Sequence, residues 1–371
     1  MARFEAFCRQ EQDWLDDFAL FMALKDNFGG VAWGDWPVDI RDRQGPALQH
    51  YRDKLASEIR LHRYVQWLFF SQWNAVRAFA HERSIHIMGD MPIFVAYDSV
   101  DVWSRRELFQ LAGDGKPTAV AGVPPDYFSP TGQLWGNPLY NWEAMAKDGF
   151  QWWIDIIRHK LRLFDYLRID HFRGFAGYWA VPFGHPTAEH GQWIPAPGIA
   201  LFDAVMAAIG QAPIIAEDLG LITPDVKELI GRFGFPGMKV LQFAFDSAEE
   251  NDHVPHNYVP NSVVYTGTHD NDTIQGWFAS AKEGDRQFTR DYLVLQGPDR
   301  NIHWEFIRAA FATVSAMAVI PLQDVLGKGS EARMNRPGVL GGNWGWRYSR
   351  SELKPALAER LKELAGRYGR L

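Results

Sequence analysis

Short apolar runs that stop at acidic residues, with helical stretches between them, constrain this chain more than any other feature. Runs of strand length lie at Ile85–Gly89, Tyr166–Ile169, Pro213–Ala216, Met238–Phe245, Ser262–Thr266 and Ala318–Leu322. Several lead into an acid or a His-Asp pair: Asp90, Asp170, Glu217 and His269-Asp270. Helical patterns fall among them. Asp13–Lys25 is amphipathic and runs into Gly29-Gly30, a plausible stop. Asp53–Glu82 is a long helix crowded with Trp67, Leu68, Phe69, Phe70 and Trp73. Phe150, Trp153, Ile154, Ile157, Leu161 and Phe164 recur at three- and four-residue steps, which predicts a helix over Phe150–Phe164. Thr223-Pro224-Asp225 reads as a helix start, with Thr as N-cap and Pro at the first helical position. Strands alternating with helices predict an α/β protein with a parallel sheet and crossover helices.

Acids at the carboxyl ends of successive strands fit a (β/α)₈ barrel, whose active site is built from strand ends and the loops that follow them. A doubly wound sheet would carry a Gly-rich phosphate turn after its first strand. The chain has neither G-x-G-x-x-G nor a Walker A motif. Composition narrows the function classes. The net charge of −7 argues against nucleic acid or an anionic membrane as partner. No run approaches roughly 18 uninterrupted apolar residues, so a membrane span is not expected. The opening Met1-Ala2-Arg3-Phe4-Glu5 lacks the apolar stretch of a signal peptide, and the single Cys8 cannot form an internal disulfide. A cytoplasmic protein is the expectation. The chain has 16 Trp, 12 Tyr and 25 Phe, enough for a large core, for sugar-stacking platforms, or for both.

Asp170 and Glu217 are the pair to weigh. They end consecutive candidate strands, and neighbouring strands lie about 4.8 Å apart. Two carboxylates at matching heights would then stand about 5–5.5 Å apart, as retaining glycoside chemistry requires. One attacks the anomeric carbon; the other protonates the leaving oxygen and later deprotonates the incoming hydroxyl. Arg168 stands two residues before Asp170, and alternation along a strand sends both to one side. A guanidinium there favours an ionised nucleophile. Partial burial of Glu217 would suit it to acid/base work. His269 and Asp270 could bind sugar hydroxyls and steady an oxocarbenium-like transition state. Each acid alone also reads as a helix cap or a surface ion pair, since strand-to-helix loops favour Asp. A metal site among His171, His185, His190 and His269 is a rival, weakened by the lack of H-E-x-x-H or a tight Cys/His cluster. Ser-His-Asp catalysis is weakened by the lack of a G-x-S-x-G elbow.

The same segments resemble the 4-α-glucanotransferase, or amylomaltase, family (disproportionating enzyme, glycoside hydrolase family 77). The stretches that carry the resemblance are Gly89-Asp90-Met91-Pro92-Ile93-Phe94-Val95, Gly122-Val123-Pro124-Pro125-Asp126-Tyr127-Phe128-Ser129 and Trp135-Gly136-Asn137-Pro138-Leu139-Tyr140. Further along come Leu167-Arg168-Ile169-Asp170-His171-Phe172-Arg173-Gly174, Ala216-Glu217-Asp218-Leu219-Gly220, Thr266-Gly267-Thr268-His269-Asp270-Asn271-Asp272-Thr273 and Gly329-Ser330-Glu331-Ala332-Arg333-Met334-Asn335. The resemblance implies a TIM (β/α)₈ barrel of the α-amylase clan with helical insertions. By motif match, Asp170 is the expected nucleophile, Glu217 the acid/base and Asp270 the third, stabilising acid. Asp90, Arg168, His171 and His269 match positions lining the subsite at the cleaved bond. Asp126, Tyr127 and Phe128 fall in a loop expected to cover the cleft and contact acceptor sugar. Trp135 and Phe243 match glucan-stacking positions, with core packing as the alternative. Asn343 and Trp344 match a segment near the donor sugar. The implied activity is transfer of α-1,4-glucan segments between maltooligosaccharides, with no cofactor and no metal. An α-amylase-like hydrolase and a glucan-binding protein without turnover are the competing readings.

One departure from the family pattern concerns the first two strands. The first clear strand, Ile85–Gly89, matches the family's third, and a preceding stretch on the order of a hundred residues has no counterpart here. Residues 1–84 are therefore expected to form a helical insertion, and residues 85–371 strands 3 to 8 of the barrel. A parallel sheet lacking two strands has bare edges, so weak or absent turnover by this polypeptide alone is the expectation.

Overall fold

The computed structural model describes residues 1–125, 129–220, 222–245, 252–295, 299–339 and 341–371. The chain divides into two compact units, one of residues 1–217 with 221–229, the other of residues 218–220 with 230–371.

The first unit opens with helices only: α1 (Ala2–Gln10), α2 (Gln12–Asn27), α3 (Val38–Arg41), α4 (Gly45–Lys54) and α5 (Ala56–His81). The long helix expected from Asp53 is two: α4 closes at Lys54, and Leu55 leaves helical geometry before α5 begins. One side of α5 buries Ile59, Phe70 and Ala80. The Phe70 ring packs 5.5 Å from Phe7 and 5.8 Å from Trp14. Leu61, Val65, Phe69, Val76 and Phe79, spaced as one side of a helix, each remain 47–58% exposed.

A parallel sheet follows, β1 (Met88–Pro92), β4 (Tyr166–Asp170) and β7 (Ile214–Ala216), in the order β1-β4-β7. The helix Gln151–Leu163 precedes β4 and the helix Gly198–Ile209 precedes β7, so each parallel step has its crossover helix. Trp153, Ile154 and Ile157 are buried at the steps the sequence shows; Leu161 is only half-buried, and Leu163, off that pattern, is buried as well. Leu167, Ile169, Ile214, Ile215 and Ala216 are all buried, as in strands covered on both faces. Gly89 lets β1 approach: a Cβ there would lie 2.2 Å from the Phe164 ring.

β1 is displaced from its expected position. Ile85 is exposed, and its N–H closes the end of α5 on the Ala80 carbonyl (3.0 Å) instead of joining a strand. Asp90 therefore lies inside β1 and not beyond its end. A second sheet in this unit is antiparallel, β2 (Ala119–Val123), β3 (Gln133–Pro138), β5 (Gly177–Pro182) and β6 (Gln192–Pro195), in the order β3-β2-β5-β6. The sequence reading misses it, because Gly and Pro interrupt its short strands.

The second unit has another parallel sheet, β8 (Gly237–Val240), β9 (Ser262–Tyr265) and β10 (Met317–Val319), in the order β10-β9-β8. The run expected over Met238–Phe245 is strand only to Val240; Leu241–Phe245 winds into a 3₁₀ turn. Leu241, Phe245, Val264, Ile274, Phe306 and Ala310 build the core here.

Candidate active site

Along β4 the side chains alternate. Leu167 and Ile169 are buried, while Arg168 and Asp170 turn the other way together. Arg168 stands opposite Asp90 in the β1–β4 register, and Asp170 opposite Pro92. The guanidinium joins the two acids: Nη1 donates to Asp90 Oδ1 at 2.6 Å and Nη2 to Asp170 Oδ1 at 2.7 Å. The Arg168 side chain is 9% exposed, whereas the carboxylates of Asp90 and Asp170 are 48% and 44% exposed. Burial alone would pull the guanidinium's pKa down. The charges of Asp90, Asp170 and Glu217 outweigh it and hold Arg168 above the usual arginine range. Such a group is a fixed cation under two carboxylates that still reach solvent.

Past Asp170 the chain leaves the strand through His171 in the left-handed region (φ 51°), a conformation that costs free energy for a residue with a side chain. The turn aims two backbone donors at Glu217. His171 N–H meets Glu217 Oε2 at 2.6 Å, and Phe172 N–H meets the Glu217 carbonyl at 3.1 Å. Glu217 N–H in turn donates to the Ile169 carbonyl at 3.0 Å. The last registered pair of β4 and β7 is Ile169 with Ala216. Asp170, the last residue of β4, and Glu217, the first beyond β7, follow that pair and so come side by side at adjacent strand ends. Burial pushes the His171 imidazole down to about 4, against the pull of Asp170. The ring is thus neutral near pH 7. Trp135 packs edge-on against it, 4.7 Å between centroids, and is 37% exposed. At that exposure the Trp135 ring lies outside the core.

In the second unit β9 ends at Tyr265, and His269 and Asp270 lie in the loop beyond it, not at the strand's last residues. Side chains give that loop its shape. Thr268 N–H and Oγ1 both donate to Asn271 Oδ1 at 2.9 Å, and Asp270 N–H donates to Thr268 Oγ1 at 3.2 Å. Asn335 Nδ2 donates to Asp270 Oδ1 at 2.6 Å, Arg333 Nη2 to the Asp270 carbonyl at 2.5 Å, and Asn335 N–H to the His269 carbonyl at 3.0 Å. His269 Nε2 is 3.5 Å from Asp270 Oδ2. The Trp344 ring lies 5.1 Å from that of His269. Sequence reasoning does not single out Asn335 and Arg333 as site residues, although both stand in the Gly329–Asn335 stretch that carries the resemblance. Near this loop, Asp324 is 2% exposed and accepts from Thr266 Oγ1 (2.6 Å) and Ile274 N–H (2.8 Å). Burial pushes its carboxyl up to about 6, partly offset by those hydrogen bonds.

Asn343 and Phe243 each have partners within the protein. Asn343 turns its amide onto its own loop, accepting from Arg336 N–H at 3.1 Å and donating to the Val339 carbonyl at 2.9 Å. Phe243 is 40% exposed and stands edge-on to His253, 5.4 Å away. Asp126, Tyr127 and Phe128 lie outside the described residues. The histidines weighed as metal ligands, His171, His185, His190 and His269, belong to no group of three or more ligating side chains among the described residues. No helix is long and apolar enough to cross a membrane among the described residues.

Similar proteins share one name. A 4-alpha-glucanotransferase of Thermus thermophilus is 50% identical over 368 residues, 98% of this chain and 74% of the relative. One of a Synechocystis species is 51% identical over 370 residues, 99% of this chain and 73% of the relative. Among solved structures, an amylomaltase from Streptococcus agalactiae in complex with acarbose superposes with a TM-score of 0.95 at 42% identity, over 99% of this chain and 74% of that one. The fold is therefore amylomaltase-like, with mixed helix and strand content. Residues 1–353 match the family described as 4-alpha-glucanotransferase, glycoside hydrolase family 77, and the chain belongs to that family.

Proposed function

We propose that this chain is a 4-alpha-glucanotransferase that moves α-1,4-glucan segments between maltooligosaccharides by retaining double displacement. Asp170 attacks the anomeric carbon of the donor glucan while Glu217 protonates the departing glycosidic oxygen. The bond to the leaving sugar breaks as the Asp170–glucosyl ester forms. Glu217, now ionised, takes the proton from an acceptor's 4-hydroxyl, and that oxygen displaces Asp170 with return of the original configuration. Asp270 is assigned to stabilising the positive charge that develops on the sugar ring. Arg168 positions Asp170; Asp90, His171, His269 and Trp135 are assigned to sugar binding. Asp126, Tyr127 and Phe128 are assigned to the acceptor side, Phe243 to stacking and Asn343 to the donor side.

The observation that carries this reading is the adjacency of Asp170 and Glu217 at the ends of β4 and β7, with a buried guanidinium under the first. We read both parallel sheets as strands of an α-amylase-clan (β/α)₈ barrel, since crossover helices join β1 to β4 and β4 to β7, and the helices Ile274–Ser280, Glu283–Leu293 and Ile302–Ala312 join β9 to β10. Residues 1–84 are read as a helical insertion. Cytoplasmic residence belongs to the same proposal, in keeping with a lone unpaired cysteine, Cys8. Maltotriose tests the activity. Transfer yields glucose together with chains longer than maltotriose; glucose and maltose alone would mean hydrolysis, and no product would refute turnover by this chain.

A further inference from the structure

The residues that end α5 and lead into β1 and β4 form a second group of ligating side chains, remote along the strands from the carboxylates. α5 closes at His81. Ser84 takes a left-handed φ of 56°, its N–H returns to the His81 carbonyl at 2.9 Å, and Ile85 N–H returns to Ala80 at 3.0 Å. This is a helix ending that folds the chain back on itself. It brings the exposed His86 ring to 6.1 Å from the His81 ring. Asp165, the residue before β4, completes the group. Its Oδ1 accepts from Arg77 Nη2 at 2.6 Å, its Oδ2 accepts from Ile87 N–H at 2.8 Å, and His81 Nε2 is 2.9 Å from Oδ2.

We propose that His81, His86 and Asp165 bind a divalent transition-metal ion, with zinc the best fit. One ligand atom of each residue lies within 4.8 Å of the other two. Zinc takes nitrogen and oxygen ligands at about 2.0–2.2 Å, which sets tetrahedral ligand atoms about 3.4 Å apart. Rotation of the exposed His86 side chain closes that difference. Two imidazoles and a carboxylate leave a fourth position for water. The ion would also meet the negative end of α5's helix dipole. Ile87 N–H and Arg77 hold the carboxylate in orientation, as outer partners of metal ligands do. The Arg77 charge opposes a cation, so the affinity falls short of that of a closed structural zinc site. Asp165 precedes β4 and Asp170 ends it, so the ion would sit at the opposite end of that strand from the nucleophile. Its effect would be to tie the end of α5 to the starts of β1 and β4.

The test uses the full chain, stripped with chelator and titrated with zinc chloride in a calorimeter and with cobalt(II) under visible absorption. The expected result is one zinc per chain with a micromolar Kd, a cobalt d–d band of nitrogen and oxygen ligation, and a Tm that rises with zinc. His86→Ala should weaken zinc by at least about tenfold and abolish the band. It leaves the Arg77–Asp165–His81 contacts in place, so its metal-free Tm should match the parent. His86→Gln serves as a second variant of near-native size. A parent chain that binds no zinc, or binds it no tighter than both variants do, overturns the proposal and leaves an ion pair only.

Discussion

The aspartates near β4 and near β9 are anchored by different physics. Asp170 is still part of its strand, so backbone pairing with β1 fixes its position, and one shared guanidinium completes the arrangement. Asp270 lies in a loop five residues past Tyr265, where no ladder holds it. Thr268, itself held by Asn271, accepts from its N–H instead, Arg333 donates to its carbonyl, and the neutral amide of Asn335 donates to its carboxylate. A strand position needs charge compensation; a loop position needs a scaffold. The first fails when a charge is lost, the second when a single hydrogen bond is lost.

Substitutions can break or sharpen that contrast. Asp170→Asn should lower glucan transfer by on the order of 10⁴-fold or more, read as glucose released from maltotriose, with the far-ultraviolet spectrum unchanged. Arg168→Met leaves Asp90 and Asp170 facing each other without their buried cation. Because both carboxylates are half exposed, the cost in urea unfolding should be about 2–3 kcal/mol, below that of a fully buried pair. A neutral result would show that the pairing of β1 with β4 suffices without charge. Asn335→Ala removes one hydrogen bond to an ionised group, worth about 1.5–3 kcal/mol. It should lower kcat by about 10–100-fold with little change in Tm. A large loss of Tm with kcat preserved would make Asn335 a folding residue and undo the distinction.

The smallest expected effect concerns Asp324. Its folded pKa of about 6 exceeds the unfolded value near 3.9. The native state therefore binds more protons than the unfolded one between those values, and stability falls as pH rises through that window. Asp324→Asn should be close to neutral at pH 4 and stabilising by about 1–2 kcal/mol at pH 8, measured by urea titration at both. A variant that loses stability equally at both pH values would mean that its hydrogen bonds to Thr266 and Ile274 matter more than its charge.

Local pattern made part of this visible in advance. The helix over Gln151–Leu163 follows from its apolar period, and the shared side of Arg168 and Asp170 follows from strand alternation. Contacts that depend on register do not. Nothing in the sequence pairs Arg168 with Asp90, because that contact exists only once β1 is aligned on β4. A strand expected to start three residues early, at Ile85 and not Met88, likewise makes Asp90 a strand-end residue. The β3-β2-β5-β6 sheet is not legible in the sequence because its strands, short and interrupted by Gly and Pro, owe their existence to one another and not to a period of their own. The turn of Asn343 onto its own loop was hidden for a similar reason: an amide reads the same in sequence whether it faces a ligand or a backbone carbonyl. Asn335 had a signal, its place in the Gly329–Asn335 stretch, but not one that named its partner.

The half-bare row from Leu61 to Phe79 on α5 sets how this polypeptide behaves in a tube. Salts such as sulfate and phosphate strengthen apolar association, so precipitation, phenyl-resin retention and dye uptake should all begin with that helix. Glutamate at Val65 and Phe79 should leave the catalytic chemistry alone while delaying the onset of turbidity in ammonium sulfate.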